Sequence, residues 1–292
     1  MRPELIEATR LIQKGDDHSI EGALERLQST VYAFSMKVCG HPQDAEDNMQ
    51  EVLYRSLPHL KKISDPDALA VWLYTVTKNR CWRSRRRSTH APRTVLSLDE
   101  LMPERSEVEG LLGSAARNQP EDALLQKERN DELQAAILEL PSPYRLVLVL
   151  HDVEGLDTDQ VSAILRLQSG TVRVRLHRAR LFVRKALVGP QQAASTDQRS
   201  KAQRCPVECK KLFENLSEYL DDRLPVGTCD QMRVHIEACP ACVAFIDDLR
   251  RAIDRCRELQ GSCDPQTPAN LRSLLTQEYR RLMNSSGIEK KS

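Results

Sequence analysis

The residues best suited to chemistry are cysteines and a histidine crowded near the C-terminal end. Seven of the nine cysteines fall between residues 205 and 263. His235 and Cys239 are four apart and share one helix face, and Cys242 follows a Pro-Ala turn that returns its sulfur toward them. Thiolates and imidazoles are the usual ligands of tetrahedral zinc. The spacing predicts a zinc site that needs a fourth ligand from Cys205, Cys209 or Cys229.

The alternative for this cluster is a set of reduced, buried cysteines without metal. A catalytic zinc is not expected, because the chain has no H-E-x-x-H motif and no acid obviously placed to activate water. No nucleophile or acid–base pair suggests another reaction, so we expect a protein that is not an enzyme. The N-terminus lacks the apolar stretch of a secretory signal, and no window approaches the roughly 20 apolar residues of a membrane span. We therefore expect a soluble, cytoplasmic protein with no membrane contact.

A second pattern, over residues 155–185, predicts a helix-turn-helix. Asp157 or Thr158 can cap a first helix, and Ser169 or Thr171 can cap a second one after a short turn. The second helix has an apolar stripe of Val172, Leu176, Ala179 and Val183. Beside this stripe runs a basic flank of Arg173, His177, Arg180 and Arg184. Such a helix suits the major groove of DNA, and the alternative is an ordinary solvated basic helix.

Two further patterns lie in the first 90 residues. A predicted helix over residues 44–57, which Asp44 is placed to cap, turns an acidic face of Asp47, Gln50, Glu51 and Tyr54 outward. Residues 70–87 interleave aromatic and basic side chains and end in an arginine run. This mixture suits partly single-stranded DNA, where bases stack and arginines hold the backbone. Taken alone, the first pattern is better explained by an ordinary solvated face, and a core position explains Trp72 better than contact with DNA.

The elements that must position these residues are helices, since apolar residues recur at three and four and no alternating run indicates a strand. We expect an all-α protein with helical domains joined by polar linkers. The predicted divisions are a first helical domain at 1–90, an acidic linker at 91–120, a helix-turn-helix domain at 121–188, a linker at 189–204, a small cysteine-rich module at 205–260 and a tail at 261–292 with one amphipathic helix near 271–283.

The order of these motifs carries a family resemblance. D-A-E-D-x-x-Q-E-V from Asp44, W-L-Y-x-x-x-x-N-R from Trp72, and S-G-T-V-R-x-R-L-H-R-A-R from Ser169 follow one another along the chain. Residues 5–188 thereby resemble the group IV, or extracytoplasmic-function (ECF), sigma factors. The resemblance implies a protein that directs core RNA polymerase to promoters, while the polymerase itself does the catalysis. The alternative is a one-component helix-turn-helix regulator, which explains residues 155–185 but neither earlier motif.

The resemblance also implies residue roles. The helix at 44–57 would be region 2.2, docking on the β′ clamp, and the second domain would meet the β flap. The implied polymerase contacts are Asp47, Gln50 and Glu51. The implied contacts to the −10 element are Lys78, Asn79, Arg80, Arg83, Arg85 and Arg86. The implied contacts to the −35 element are Ser169, Thr171, Arg173, Arg175, His177 and Arg178.

The cysteine-rich module resembles zinc-binding anti-sigma domains. C-x6-L-x-x-Y-L-D-x-x-L from Cys209, followed by H-x-x-x-C-P-x-C from His235, covers about 205–257. The match places Cys209 with His235, Cys239 and Cys242 as the Zn²⁺ ligands. Such domains bind sigma factors and hide their polymerase-facing surfaces. A short linker keeps the module near millimolar effective concentration, so we expect an intramolecular contact with the sigma domains and regulation in cis. A module that activates, or one that is only structural, is the alternative.

Overall fold

The computed structural model describes residues 2–60, 62–85, 97–101, 123–188, 216–238, 240–259 and 274–282. Every regular element in these ranges is helical, and the all-α expectation is confirmed. None of the helices in these ranges has the length and apolar character needed to span a membrane.

The first four helices are bounded by glycine and proline residues. They are α1 (Pro3–Lys14), α2 (Asp17–Cys39), α3 (Pro42–Leu60) and α4 (Pro66–Arg85). Gly15 and Gly40 end α1 and α2 in the left-handed conformation, with φ of 73° and 78°. Asp16 caps α2 by accepting from Ser19 N. Asp44 does not cap α3, because that helix begins at Pro42 and Asp44 lies in its first turn.

The remaining helices follow the predicted helix-turn-helix and the cysteine-rich module. They are α5 (Leu98–Leu101), α6 (Ala123–Glu139), α7 (Ser142–Leu148) with a π-helical turn (Val149–Val153), α8 (Thr158–Leu165), α9 (Ser169–Val188), α10 (216–220), α11 (Val226–Ala238), α12 (Pro240–Glu258) and α13 (274–282). Asp157 caps α8 in a capping box with Gln160. The next helix already begins at Ser169, so neither Ser169 nor Thr171 precedes it as a cap residue.

By its contacts the chain forms two compact units that do not follow chain order. Unit 1 contains residues 1–91, 149–167 and 260–292, and unit 2 contains residues 92–148 and 168–259. The division by motif into 1–90, 121–188 and 205–260 is a division by function, and it stays a prediction.

A buried carboxylate, Glu154, organises unit 1. Its side chain is 0% exposed and accepts from Arg2 Nη2 at 3.0 Å and from Tyr74 Oη at 2.6 Å. Lys37 Nζ lies 3.5 Å from the same carboxylate. Burial first, and then the charge of Glu154, raise the pKa of the Tyr74 phenol well above 10, so that phenol remains a donor. Glu154 therefore joins the N-cap residue of α1, and helices α2 and α4, to the segment 149–167.

Each of the two early cysteines also has a place in the core of unit 1. Cys39 ends α2 and Cys81 lies on α4, and both are buried. Asn48 of α3 donates its amide to both sulfurs, at 3.4 Å to Cys39 Sγ and 3.1 Å to Cys81 Sγ. The amide thus satisfies its donors inside an apolar interior, which is a packing role.

Removing the charge of Glu154 tests this organisation. Glu154→Gln leaves two buried cations facing a neutral amide, and we expect unit 1 to lose about 3–5 kcal/mol of stability. Both tryptophans of the chain, Trp72 and Trp82, belong to unit 1, so urea unfolding followed by tryptophan fluorescence reports on this unit. Glu21→Gln, which removes an exposed carboxylate of α2, is the matched control. Equal stability of the two variants would contradict the structural role.

Candidate nucleic-acid and polymerase interfaces

Helix α9 presents the basic flank that the sequence predicts, and its apolar stripe is buried as expected. Val172, Leu176, Ala179 and Val183 are each at most 2% exposed. Of the flank of Arg173, His177, Arg180 and Arg184, the last three are also buried against protein, within unit 2. Their partners come from the cysteine-rich module, on helices α10 and α12.

Arg180 makes the strongest of these contacts. Its side chain is fully buried, and its guanidinium donates to both carboxylate oxygens of Asp221, at 2.8 and 3.0 Å. This bidentate geometry is the strongest that an arginine makes with a carboxylate. Because a buried arginine cannot be deprotonated, the pair keeps its charge and depends on both partners.

Arg184 is held one turn further along. Its Nε donates to Asp248 Oδ2 at 2.7 Å, and its Cζ lies 4.1 Å from the ring centroid of Phe245. Both partners lie on α12, so one arginine combines an ion pair with a cation–π contact. One face of α12 therefore provides both the carboxylate and the aromatic ring that Arg184 contacts.

His177 is the neutral member of the flank. Its Nδ1 lies 2.8 Å from Ser217 Oγ, and its Nε2 is buried with no hydrogen-bond partner among the residues that the structure describes. Burial, and then the positive charges of Arg180 and Arg178, lower the pKa of His177 to about 4. The imidazole is therefore uncharged near neutral pH, and the flank avoids another buried cation.

The carboxylate that pairs with Arg180 belongs to Asp221, at the C-terminal end of α10. Asp222 adopts a left-handed φ of 54°, its N–H donates to Tyr219 O, and the N–H of Arg223 donates to Glu218 O. These bonds form a Schellman motif, in which aspartate takes the position usually given to glycine. Asp221 consequently stands at the very end of the helix, where its side chain meets the arginine.

The other predicted −35 contacts are less enclosed. Thr171, Arg175 and Arg178 are half-buried, as is Ser169 at the start of the helix. Arg173 and Glu218 form a loose, largely exposed ion pair at 3.7 Å, which contributes little. Val174 is exposed, whereas Leu181 is buried. Arg173, Val174, Arg175 and Arg178 thus remain nearer to solvent than His177, Arg180 and Arg184.

The predicted polymerase contacts lie on α3. Asp47 and Gln50 are exposed, and Glu51 is half-buried. Glu51 pairs with Arg55 and with Arg80, each at 2.6 Å. Asp47, Gln50 and Glu51 form one continuous acidic edge of α3, called the docking edge below. Arg80 of α4 is joined to this edge by its ion pair with Glu51.

Of the predicted −10 contacts, three have described side chains, all on α4. Asn79 is exposed, Arg80 is half-buried, and Lys78 donates to Ile164 O at 2.8 Å. Burial, and then the charge of Arg166, lower the pKa of Lys78. The backbones of Arg83 and Arg85 are helical, but their side chains and all of Arg86 lie outside the described residues.

A cavity of about 300 Å³ lies between α3 and α4 next to these residues. Its lining includes Asn79, Arg80, Trp72 and His59, and the rings of the last two have centroids 5.6 Å apart. Trp72 is therefore half-buried at a groove wall, rather than enclosed in the core.

The predicted zinc site falls mostly outside the described residues. Cys209 and Cys239 lie outside them, as do the alternative ligand Cys205 and the side chain of His235. Cys242 is buried in the first turn of α12, close in sequence to the C-terminal end of α11 that carries His235. Three thiolates and one imidazole fit zinc's preferences, and a buried Cys242 agrees with a structural site. No metal-binding group of three candidate ligands occurs among the residues that the structure describes.

Sequence reasoning found the basic flank but missed the partners of Arg180 and Arg184. Asp221 is part of the motif that resembles anti-sigma domains. Its place in that motif was the sequence signal available for the ion pair with Arg180. Asp248 and Phe245 lie on a helix with a regular apolar face, and nothing in their spacing marks them.

Comparison with known families agrees with the motifs. Residues 23–91 match the family model "Sigma-70 region 2", and residues 130–183 match "Sigma-70, region 4". Residues 209–242 match the model "Putative zinc-finger". The two sigma matches define the class of protein, a sigma-70-type transcription factor, and the region 2 match disfavours the one-component regulator.

Similar proteins narrow the class. The chain is 26% identical over 189 residues to ECF RNA polymerase sigma factor SigW of Bacillus subtilis, covering 60% of this chain and 92% of the relative. It is 30% identical over 152 residues to ECF RNA polymerase sigma factor EcfG of Rhodopseudomonas palustris, covering 51% of this chain and 74% of that relative. The chain belongs to the ECF RNA polymerase sigma factors. It is a sigma factor of transcription initiation that binds core RNA polymerase and promoter DNA, and it carries a zinc-finger domain.

The titration of His177 tests the burial of the flank. We expect His177 to titrate near pH 4, and near 6.5 in Asp221→Asn, where the module is released from α9. Because the packed state has the lower pKa, the contact is fully stable above pH 6.5. It weakens as the pH falls toward 4, by about 3 kcal/mol in all. Imidazole NMR resonances measure the pKa, and the other histidines serve as internal references. A midpoint near 6.5 in the unaltered protein would contradict the packing.

Proposed function

We propose that this sigma factor is held in check by its own cysteine-rich module, which covers the DNA-reading helix until it is released. Core polymerase docks on Asp47, Gln50 and Glu51 through its β′ clamp, and its β flap meets the second domain. The protein acts in the cytoplasm, where the polymerase works. The 1–90 and 121–188 divisions are the two promoter-reading domains, and 205–260 is the regulatory one.

One observation carries the regulatory part of the proposal. Three members of the basic flank, His177, Arg180 and Arg184, are buried against the module. Phosphate binding requires arginines that are open to the DNA backbone, so α9 cannot use this flank while the module is packed. Inhibition is favoured over activation because the contact hides cations that a DNA-binding helix needs.

The charges of the module fit this role. Asp221 and Asp248 take the positions that phosphate oxygens would take on a DNA-bound flank, since both are anions that accept hydrogen bonds from arginine. A short linker makes the competition intramolecular, which favours the covered state. Ser169, Thr171, Arg173, Arg175 and Arg178 would complete the −35 contacts on release. Lys78, Asn79 and Arg80, with Arg83, Arg85 and Arg86, would make the −10 contacts.

The Glu154 cluster of unit 1 implies a second rearrangement. Glu154 lies in the part matched by region 4, whereas Tyr74 lies in the part matched by region 2, and their side chains are 2.6 Å apart. The −10 and −35 elements are about 25 base pairs apart, or roughly 85 Å of duplex. Simultaneous binding to both elements therefore requires this contact to open.

For the metal, we propose Cys209, His235, Cys239 and Cys242 as the ligands of a structural Zn²⁺, with Cys205 and Cys229 as the alternatives to Cys209. Bound zinc would tie the end of α11 to the start of α12 and so hold α12 in the fold. The contacts of Asp248 and Phe245 with Arg184 would therefore depend on the bound zinc.

Removing one acid of the module should activate the protein. Asp221→Asn leaves Arg180 buried opposite a neutral amide, which costs several kcal/mol and should release α9. We expect at least about tenfold tighter binding of promoter fragments and stronger run-off transcription with core polymerase. Asp222→Asn is the matched control, because it removes a charge one residue away at an exposed site where asparagine tolerates the left-handed backbone. Weaker transcription from Asp221→Asn would make the module an activator.

Loss of zinc should have the same effect. We expect Cys242→Ser to lose the metal, to unfold the module and to raise promoter binding as Asp221→Asn does. Metal analysis by mass spectrometry measures the first effect, and duplex binding measures the second. Cys256→Ser, which alters a buried cysteine outside the proposed ligand set, should retain its zinc. A full zinc content in Cys242→Ser would move the site elsewhere.

A further inference from the structure

Two cysteines and one asparagine meet where three helices of unit 1 pack together. Cys39 is the last residue of α2, Asn48 lies on α3 and Cys81 lies on α4. All three residues are buried, at 5%, 2% and 1% exposed. Cys39 and Cys81 are the two cysteines that precede residue 200, and the proposed zinc site makes no use of them.

One amide group holds the two sulfurs close to each other. Asn48 Nδ2 lies 3.4 Å from Cys39 Sγ and 3.1 Å from Cys81 Sγ, so the sulfurs cannot be further apart than these two distances together. Helix α2 also packs directly against α4. A disulfide requires Cα atoms within about 7 Å of each other, which helices in direct contact can provide where short side chains face one another. Rotation of the two cysteine side chains would then bring the sulfurs together.

Cys39 is the sulfur that a small oxidant can reach from solvent. It stands at the end of its helix, and the next residues are the half-buried Gly40 and the exposed His41. Cys81 lies inside α4 and is less exposed. A local opening at the turn after α2 is enough to admit a molecule as small as hydrogen peroxide.

The amide of Asn48 also suits the chemistry of a dithiol. It donates to both sulfurs, and a donor favours negative charge on the atom that accepts from it. The thiolate, rather than the thiol, is the form that attacks a peroxide. Burial opposes this charge, so we expect the reaction at elevated peroxide concentrations and not at trace amounts.

We propose that Cys39 and Cys81 form an oxidation site that a peroxide converts into a disulfide, and that this modification weakens polymerase docking. The Cys39 thiolate attacks one oxygen of hydrogen peroxide, the O–O bond breaks, and Cys39 becomes a sulfenic acid while hydroxide leaves. The Cys81 thiolate then attacks the Cys39 sulfur, the S–O bond breaks and a second hydroxide leaves. Each sulfur has lost one electron overall. The two thiol protons end on the two hydroxides, so the peroxide is reduced to two molecules of water.

The docking edge is affected because Asn48 belongs to the same helix, directly after Asp47 and three residues before Glu51. A disulfide draws both sulfurs away from the amide, and a buried amide without acceptors is costly. We expect α3 to shift until water reaches the amide, which moves the docking edge and disturbs the ion pair of Glu51 with Arg80. This effect rests on the proposed function, because it takes Asp47, Gln50 and Glu51 as the polymerase contacts. Formation of the disulfide does not.

Peptide mapping of the full-length protein after peroxide treatment tests the oxidation site. Trypsin cleaves after lysine and arginine, so Cys39 lies in the peptide 38–55 and Cys81 lies in the peptide 81–83. With the remaining thiols alkylated, we expect mass spectrometry to find these two peptides linked, and dithiothreitol to separate them. Peptides that stay unlinked over the whole range of peroxide concentrations would overturn the inference.

Two serine variants serve as a matched pair in this experiment. Cys39→Ser removes one sulfur of the site but keeps an oxygen that can accept from Asn48, so it should fold and should not form the link. Cys256→Ser removes a buried cysteine of unit 2 and should form the link as the unaltered protein does. A linkage of Cys81 to a cysteine of the module in the unaltered protein, in place of Cys39, would contradict the proposed pair.

Binding to core polymerase, measured by fluorescence anisotropy after the peroxide has been removed, tests the effect on docking. If α3 leaves its present position in about nine of ten oxidised molecules, the affinity falls about tenfold. We expect this loss in the oxidised protein relative to oxidised Cys39→Ser, and recovery with dithiothreitol. Both proteins carry the same cysteine-rich module, so oxidation of the module affects them equally. An equal affinity of the two oxidised proteins would refute the effect on docking.

Asp47→Lys, studied in the reduced protein, separates this inference from the proposed function. If it abolishes polymerase binding while oxidation leaves the affinity of the unaltered protein unchanged, the docking edge stands and control by oxidation fails. If Asp47→Lys leaves polymerase binding unchanged, the docking edge is misassigned and the effect on docking fails with it. The peptide map decides in either case whether Cys39 and Cys81 form the disulfide.

Discussion

Buried charge that must be matched inside the protein is the constraint on which both units depend. In unit 1 the carboxylate of Glu154 is enclosed with Arg2, Lys37 and the phenol of Tyr74. In unit 2 the guanidinium of Arg180 is enclosed with Asp221. An unmatched charge in either place would cost several kcal/mol, a large part of a domain's stability. Each unit is therefore stabilised by buried charged groups. Water could also hydrogen-bond to these groups, and DNA phosphate could also pair with the arginine.

Ion pairs of this kind suit a protein that opens, as proposed for this one. An apolar interface between the module and α9 would be stable but would have no use after release. Arginines paired with aspartates can leave one set of anions for another, because DNA phosphates accept the same bidentate hydrogen bonds. The cation–π contact of Arg184 with Phe245 adds affinity without adding a further charge. The same side chains thus serve the closed protein and, in the proposed open state, the promoter.

The cysteine-rich module holds α9 chiefly by charge. It uses ion pairs at 2.7–3.0 Å against α9, and its folding is proposed to depend on zinc. A signal that removes metal or oxidises thiols would act on this module.

The sequence by itself determined the helices, many of their ends and the family. Capping residues such as Asp157, the glycines at 15 and 40, and the ordered motifs from Asp44 to Arg180 all act over a few residues, and local patterns record them. Only the tertiary structure decided that Glu154 meets Arg2, 152 residues away, and that Arg184 meets Asp248, 64 residues away. Such pairs leave no periodic mark, because a solvated and a buried arginine look alike in a helical pattern. Burial arises from chain segments that meet only when the units pack, and that packing turned a predicted DNA-reading flank into a covered one.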